Sequence, residues 1–144
     1  MEPLRSSISE LSFSDEGILY TRLFEGKEID LDSATENFEL SKMLTQGKRY
    51  AAFTDARATV SITKEAMAFG SGKSANENLI AQAILISSLA NRIVGNFMIK
   101  FHKPLSPTRL FSNEEEAMKW LREQMKEEIL KAQLNSGKEA VKGF

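Results

Sequence analysis

Two short runs limit the possible folds of this chain more than any other feature. Arg49-Tyr-Ala-Ala-Phe-Thr-Asp55 and the later part of Leu79-Ile-Ala-Gln-Ala-Ile-Leu-Ile86 are apolar without alternation, the pattern of strands covered on both faces. Such strands lie inside a sheet that carries helices, so the expected class is α/β. Before them, Ile8–Ser14 and Ile18–Phe24 are β-favouring runs joined through Asp15-Glu-Gly17, which predicts an antiparallel hairpin.

Helix signals fill the intervals. Ser33-Ala-Thr-Glu36 has the hydroxyl-to-carboxylate spacing of a capping box and opens a helix that puts Phe38, Leu40, Met43 and Leu44 on one stripe, with Gly47 to end it at positive φ. Ser61 to Phe69 offers a hydroxyl start and an early acid before the Gly70-Ser-Gly72 stop. Ser87-Ser88 caps a third helix through Leu89, Ile93, Val94 and Phe97 toward Phe101, closed by Pro104 and Pro107. Thr108–Phe111 is a short strand. Ser112-Asn-Glu-Glu115 is a second capping box, for a last helix with Ala117, Leu121, Met125 and Ile129 spaced by four and Trp120 beside them.

The resulting order, β-β-α-β-α-β-α-β-α, predicts a four- to five-stranded mixed sheet. Its N-terminal hairpin is antiparallel, and its later strands are parallel through right-handed helical crossovers. Residues 1–7 read as an extension, 8–134 as a single α/β domain and 135–144 as a frayed tail.

Composition removes several kinds of chemistry. There is no cysteine, hence no disulfide framework, thiol nucleophile or Cys-bearing metal site, and 144 residues bury a core without such staples. Nineteen basic against 20 acidic residues give a net charge of −1, which exerts no general pull on nucleic acid. No apolar run reaches the ~20 residues of a membrane span, and the N-terminus lacks a signal-peptide core, so a cytoplasmic location is expected. His102, the one histidine, sits in Lys100-Phe-His-Lys-Pro104 and reads as a loop residue rather than a metal ligand. Gly70-Ser-Gly-Lys-Ser74 lacks the first glycine of a phosphate loop, having Met67 there, and follows a helix instead of a strand. No catalytic set, metal or cofactor is expected.

In open α/β sheets ligands collect at the carboxyl ends of the parallel strands. That edge gathers Asp55, Arg57, Ser61, Thr63, Ser87, Ser88, Asn91 and Arg92. Ser87-Ser-x-x-Asn91-Arg92 offers hydroxyls, amides and a guanidinium to an anion such as a phosphate. The plainer reading has Ser87 or Ser88 capping the helix and Arg92 pairing with Asp55 or another acid.

Two passages carry a resemblance. Ala83 to Pro104, continuing to Pro107-Thr-Arg-Leu-Phe-Ser-Asn-Glu-Glu-Glu-Ala-Met-Lys-Trp-Leu121, resembles a bacterial family of uncharacterised small proteins described as STAS-like or SpoIIAA-like. It extends over residues 8 to 125. The fold it implies is shared by anti-sigma-factor antagonists and, more distantly, by CRAL–TRIO lipid-binding domains. Phosphorylatable antagonists begin the helix after the Asp-ended strand with an Asp-Ser-Ser-Gly-like motif. Here Asp55 is followed by Ser61-Ile-Thr-Lys-Glu-Ala, which puts Lys64 and Glu65 where the switch serine would sit. The motif is absent. Ser61 or Thr63 has the chemistry to replace it, but both read more simply as helix caps worth about 1 kcal/mol.

The resemblance implies a non-enzymatic regulatory or interaction module. It would meet an unidentified protein partner through a surface that includes Arg57 and Lys64, or pair as a homodimer. The alternative is a binder of a small apolar or anionic ligand between helices and sheet.

Overall fold

The computed structural model describes residues 2–58 and 61–142, with side chains to Gly137. Six strands form one sheet in sequence order: β1 (Leu4–Arg5), β2 (Ser9–Phe13), β3 (Ile18–Leu23), β4 (Tyr50–Asp55), β5 (Leu79–Leu85) and β6 (Thr108–Phe111). β1 to β3 run antiparallel, and β3 to β6 are parallel. The hairpin, the parallel strands and their helical connections match the expected α/β class. The strand count does not. The additional strand is β1, which pairs Leu4 with Leu11 and Arg5 with Glu10. It lies within the stretch 1–7 read as an extension, where two residues are too few to show any alternation. Gly17 turns the β2–β3 hairpin at φ +91°, a value that favours glycine.

Helices α1 (Leu31–Thr45), α2 (Lys64–Ser71), α3 (Lys73–Asn76) and α4 (Leu89–Phe97) connect the parallel strands, and α5 (Glu114–Lys142) follows β6. Several starts differ from expectation by one to three residues, because a neighbouring side chain caps instead. Asp30 caps α1, its carboxylate accepting from the Ser33 amide at 2.8 Å while the Ser33 hydroxyl accepts from the Asp30 amide at 3.0 Å. Ser33 is therefore the third residue of that box and not its first. Thr63, not Ser61, caps α2. Asn113, not Ser112, accepts the Glu116 amide at the start of α5. Ser88 caps α4 as expected. This helix then loosens into a π turn, Met98–His102, and stops where Lys103 takes φ +46° ahead of Pro104. The tail predicted to fray from 135 continues as helix to Lys142, and residues 143–144 lie outside the described residues.

The two faces of the sheet are packed differently. One carries Ile18, Ala51, Phe53, Ala83, Leu85 and Phe111 against Ala117, Met118 and Leu121 of α5, with Trp120 and Met125 at the edge. Arg122 bonds Glu16 at 2.6 and 3.2 Å, and Arg49 pairs with Glu128, so α5 is pinned along its length. Beyond Met125 its apolar stripe leaves the sheet, and Ile129, Leu130 and Leu134 are exposed. The other face meets α1, α2 and α4.

Candidate functional site

Strand alternation decides what lies beneath those three helices. Along β4, Ala51 and Phe53 point to α5 while Ala52 and Thr54 point the other way. Along β5 a register irregularity sets Tyr50 opposite Leu79 and Ala52 opposite Gln82. Three residues of β5 thus face two of β4, and Leu79 and Gln82 both emerge on the helix side. With Thr21 of β3 next to Thr54 in the ladder, the floor becomes a polar stripe of Thr21, Thr54 and Gln82 bordered by Leu19, Ala52 and Ile84. Gln82 Nε2 donates to Thr54 Oγ1 at 3.2 Å, which fixes the amide's orientation.

Small floor residues leave space that the helices do not fill. A cavity of about 260 Å³ lies between this floor and a roof made by Phe38 and Ser41 of α1, Met67 of α2, and Val94, Gly95 and Met98 of α4. Its wall is mostly hydrocarbon. Among the described residues it contains no carboxylate, imidazole, ammonium or guanidinium. Its polar groups are neutral ones. Asn37 Oδ1 accepts from the Ser6 hydroxyl at 3.0 Å and from the Ser9 hydroxyl. Tyr50 is buried, which pushes its phenol up from the usual range despite an opposing hydrogen bond with Ser41. This composition suits a neutral, largely apolar guest oriented by one or two hydrogen bonds.

The residues singled out at the carboxyl edge of the strands fall into two groups. Asp55, Arg57, Ser87, Ser88 and Asn91 are joined in one chain of hydrogen bonds. Arg57 grips Asp55 with Nε and Nη2 at 3.0 and 2.8 Å and with its own amide at 3.1 Å. Burial works to raise the Asp55 carboxyl, but these bonds and the nearby charges of Arg57 and Arg22 outweigh it and hold the group below the usual aspartate range. The Ser87 hydroxyl donates to the Arg57 carbonyl at 3.4 Å, the Ser87 amide to Asn91 Oδ1 at 3.2 Å, and the Asn91 amide to Ser88 Oγ at 3.1 Å. Arg57, and not Arg92, stands beside Asp55, and Arg92 is exposed on α4.

Ser61, Thr63 and Lys64 sit apart, beside the segment before α1. The Ser61 hydroxyl donates to Glu28 at 3.0 Å, the Thr63 hydroxyl caps α2 at 3.1 Å, and Lys64 is the exposed first residue of that helix. Each hydroxyl in both groups is engaged within the fold. Among the described residues these bonds hold the strand ends and helix starts together at this edge.

Gly70-Ser-Gly-Lys-Ser74 bridges α2 and α3, where Asn76 Nδ2 donates to the carbonyls of Gly70 and Gly72 at 2.9 and 2.7 Å. Among the described residues no three His, Asp or Glu side chains converge as metal ligands, and no helix is long and apolar enough to cross a membrane.

Of the cavity wall, the sequence reading singled out only Asn91 as a candidate. The available signal was the size of alternate residues: Ala52, Thr54 and Ala56 are small on the very side that three helices must cover.

Comparison with known proteins comes to the same architecture. Residues 12–125 match the model of a family described as a domain of unknown function, DUF7793. No curated protein matches significantly. Among solved structures, an uncharacterised protein of the DUF3478 family from Shewanella loihica PV-4, described as having a SpoIIAA-like fold, superposes with a TM-score of 0.58 at 13% identity. The alignment covers 84% of this chain and 98% of that one. The SpoIIAA-like resemblance is thereby shown at the level of the fold.

Proposed function

The chain belongs to the DUF7793 family of unknown function, and from that premise we infer that it binds a small, mostly apolar molecule in the cavity between sheet and helices without transforming it. One observation carries this reading: the cavity of about 260 Å³, whose wall is mostly hydrocarbon with a few neutral polar groups. Apolar wall atoms facing such a space lack dispersion partners, and a guest supplies them. Of the two ligand chemistries considered from sequence, the uncharged wall favours the apolar one. Thr21, Thr54 and Gln82 supply hydroxyl and amide groups for a single polar end. Among the described residues no acid–base pair lines the space, which supports a binding role over catalysis.

Native mass spectrometry of freshly purified protein, beside a denatured control, tests the reading. A native mass exceeding that of the chain by a few hundred daltons and lost on denaturation is expected. If the protein stays bare and neither medium-chain alcohols nor amides raise its melting temperature, the reading fails.

The regulatory-module reading draws on a separate surface, the exposed Lys64 at the start of α2 with Arg57 nearby in sequence. It expects Lys64→Ala to weaken capture of a partner without lowering the melting temperature, whereas Arg57→Ala would weaken capture and also remove the bonds to Asp55. The same native spectra report whether the chain is a homodimer.

A further inference from the structure

The outward side of α4 carries apolar side chains that no described residue covers. Leu89, Ile93, Phe97 and Phe101 recur every four residues, and Leu105 follows. Leu89 is 72% exposed, Ile93 60%, Phe101 64% and Leu105 67%. The π turn keeps the row together, since it needs more residues per turn and brings Phe101 to 4.7 Å from Phe97, centroid to centroid. The inner side of the same helix is already occupied, with Val94, Gly95 and Met98 lining the cavity. Packing of the domain therefore does not account for the outer row.

Charge tells what does. Between Glu77 and Glu114 the chain has no acidic residue, and Arg92, Lys100 and Lys103 flank the row, whereas Arg109 stacks on Phe111 on the α5 side of the sheet. Arg92 and Lys100 are exposed neighbours of Ile93 and Phe101, and the Lys100 ammonium stands 5.7 Å from the Phe101 ring centroid. In a protein of net charge −1 the segment that bears the row thus contributes cations and hydrocarbon and no carboxylate of its own. Leu, Ile and Phe entering the acyl boundary with Arg and Lys at the phosphates is the pairing that an anionic bilayer accepts. A second copy fits poorly, because a twofold contact through this row would set Arg92 and Lys100 against like charges.

We propose that the outer face of α4 and its π turn is a docking surface for anionic membranes, lying in the plane of the interface. This stands on the surface alone and does not need the cavity to be filled.

Sedimentation of the full chain with vesicles tests it, comparing phosphatidylcholine containing phosphatidylglycerol with phosphatidylcholine alone. Binding to the anionic vesicles only, weakened by added salt, is expected. Lys100→Glu with Lys103→Glu is expected to lower the partition coefficient by more than about tenfold, each cation near the surface counting for about fivefold. Ile93→Asp and Phe101→Asp are expected to abolish binding. All four side chains lie on the outer or terminal part of the helix, so circular dichroism and melting temperature should be unchanged.

Absence of binding, equal binding to neutral vesicles, or variants that bind like the parent would overturn the proposal. So would a dimer that Ile93→Asp dissociates while vesicles remain unbound, which would make the row a self-association face. A bare protein that still binds vesicles leaves docking intact while the cavity reading fails, and a ligand-loaded protein that ignores vesicles does the reverse.

Discussion

Ala51 and Ala52 are adjacent, both buried, and predicted to respond to the same substitution with opposite signs. Ala52 stands on the cavity floor, whereas Ala51 is packed under α5. Ala52→Leu adds three carbons where about 260 Å³ is open. At about 0.8 kcal/mol per buried CH₂ the gain is about 2.4 kcal/mol. Fixing the leucine rotamer removes about 0.5–1 kcal/mol of that, leaving a net stabilisation of about 1.5 kcal/mol. Ala51→Leu must force the same atoms between Phe53, Ala81 and α5, with an overpacking cost of about 1–3 kcal/mol. Urea titration of both variants, with m-values compared to confirm an unchanged two-state transition, measures the difference as about 3 kcal/mol. If Ala52→Leu destabilises as much as Ala51→Leu, the space beneath the helices is not available to side chains and the cavity argument is refuted. The stabilised variant should also lose any copurified guest.

The remaining predictions concern the helix starts, the Asp55–Arg57 pair and the seating of α4. Thr63→Ala is expected to lower stability by about 1 kcal/mol and Ser61→Ala by less than about 0.5, because only Thr63 accepts a free helix amide; chemical denaturation separates them. Because the folded-state pKa of Asp55 is depressed, the stability it contributes is present above the ordinary aspartate value of about 3.9 and disappears as pH falls through the folded value. The gap between wild type and Arg57→Ala should accordingly be full at neutral pH and close in acid, as read by melting temperature against pH. A methyl at Gly95 would stand 2.8 Å from both Leu110 methyl carbons. Gly95→Ala should therefore destabilise by about 1 kcal/mol despite its better helix propensity, and adding Leu110→Val should recover most of the loss.

Much of the architecture was legible because it rests on local patterns. The apolar runs at 49–55 and 79–86, the Asp15-Glu-Gly17 turn and the Ser88 cap each express a preference that the tertiary fold does not reverse. What was misread involved competition between neighbours. Asp30 outcompetes Ser33 as a cap because it can exchange two bonds with it, and Asn113 outcompetes Ser112 in the same way that any better-placed acceptor does. Periodicity was also a poor guide to what is covered. Leu89, Ile93 and Phe97 have helical spacing, yet the sheet takes the opposite side of α4, since Asn91, Val94 and Gly95 let the helix approach. Among the candidate site residues the sequence placed Asp55, Arg57, Ser87, Ser88 and Asn91 at one edge, and they are bonded to one another there. The cavity was not legible as a place, because no single residue in it is unusual.

Its side of the sheet nevertheless follows from connectivity. β3 to β6 are laid down in sequence order, always stepping in the same direction. Right-handed crossovers then force every connecting helix onto one face, and α1, α2 and α4 do share the cavity roof. The helix after β6 makes no crossover, so α5 is free to cover the other face, where it seals Phe53, Leu85 and Phe111. One face is closed by a single long helix that packs along several strands. The other is closed by three shorter helices whose positions are dictated by different loops, and a floor of Ala52, Thr54 and Gln82 does not reach up to meet them. The division of labour between the two faces is thus built into the order of the strands, and the small residues of β4 set the depth of the space left beneath the three helices.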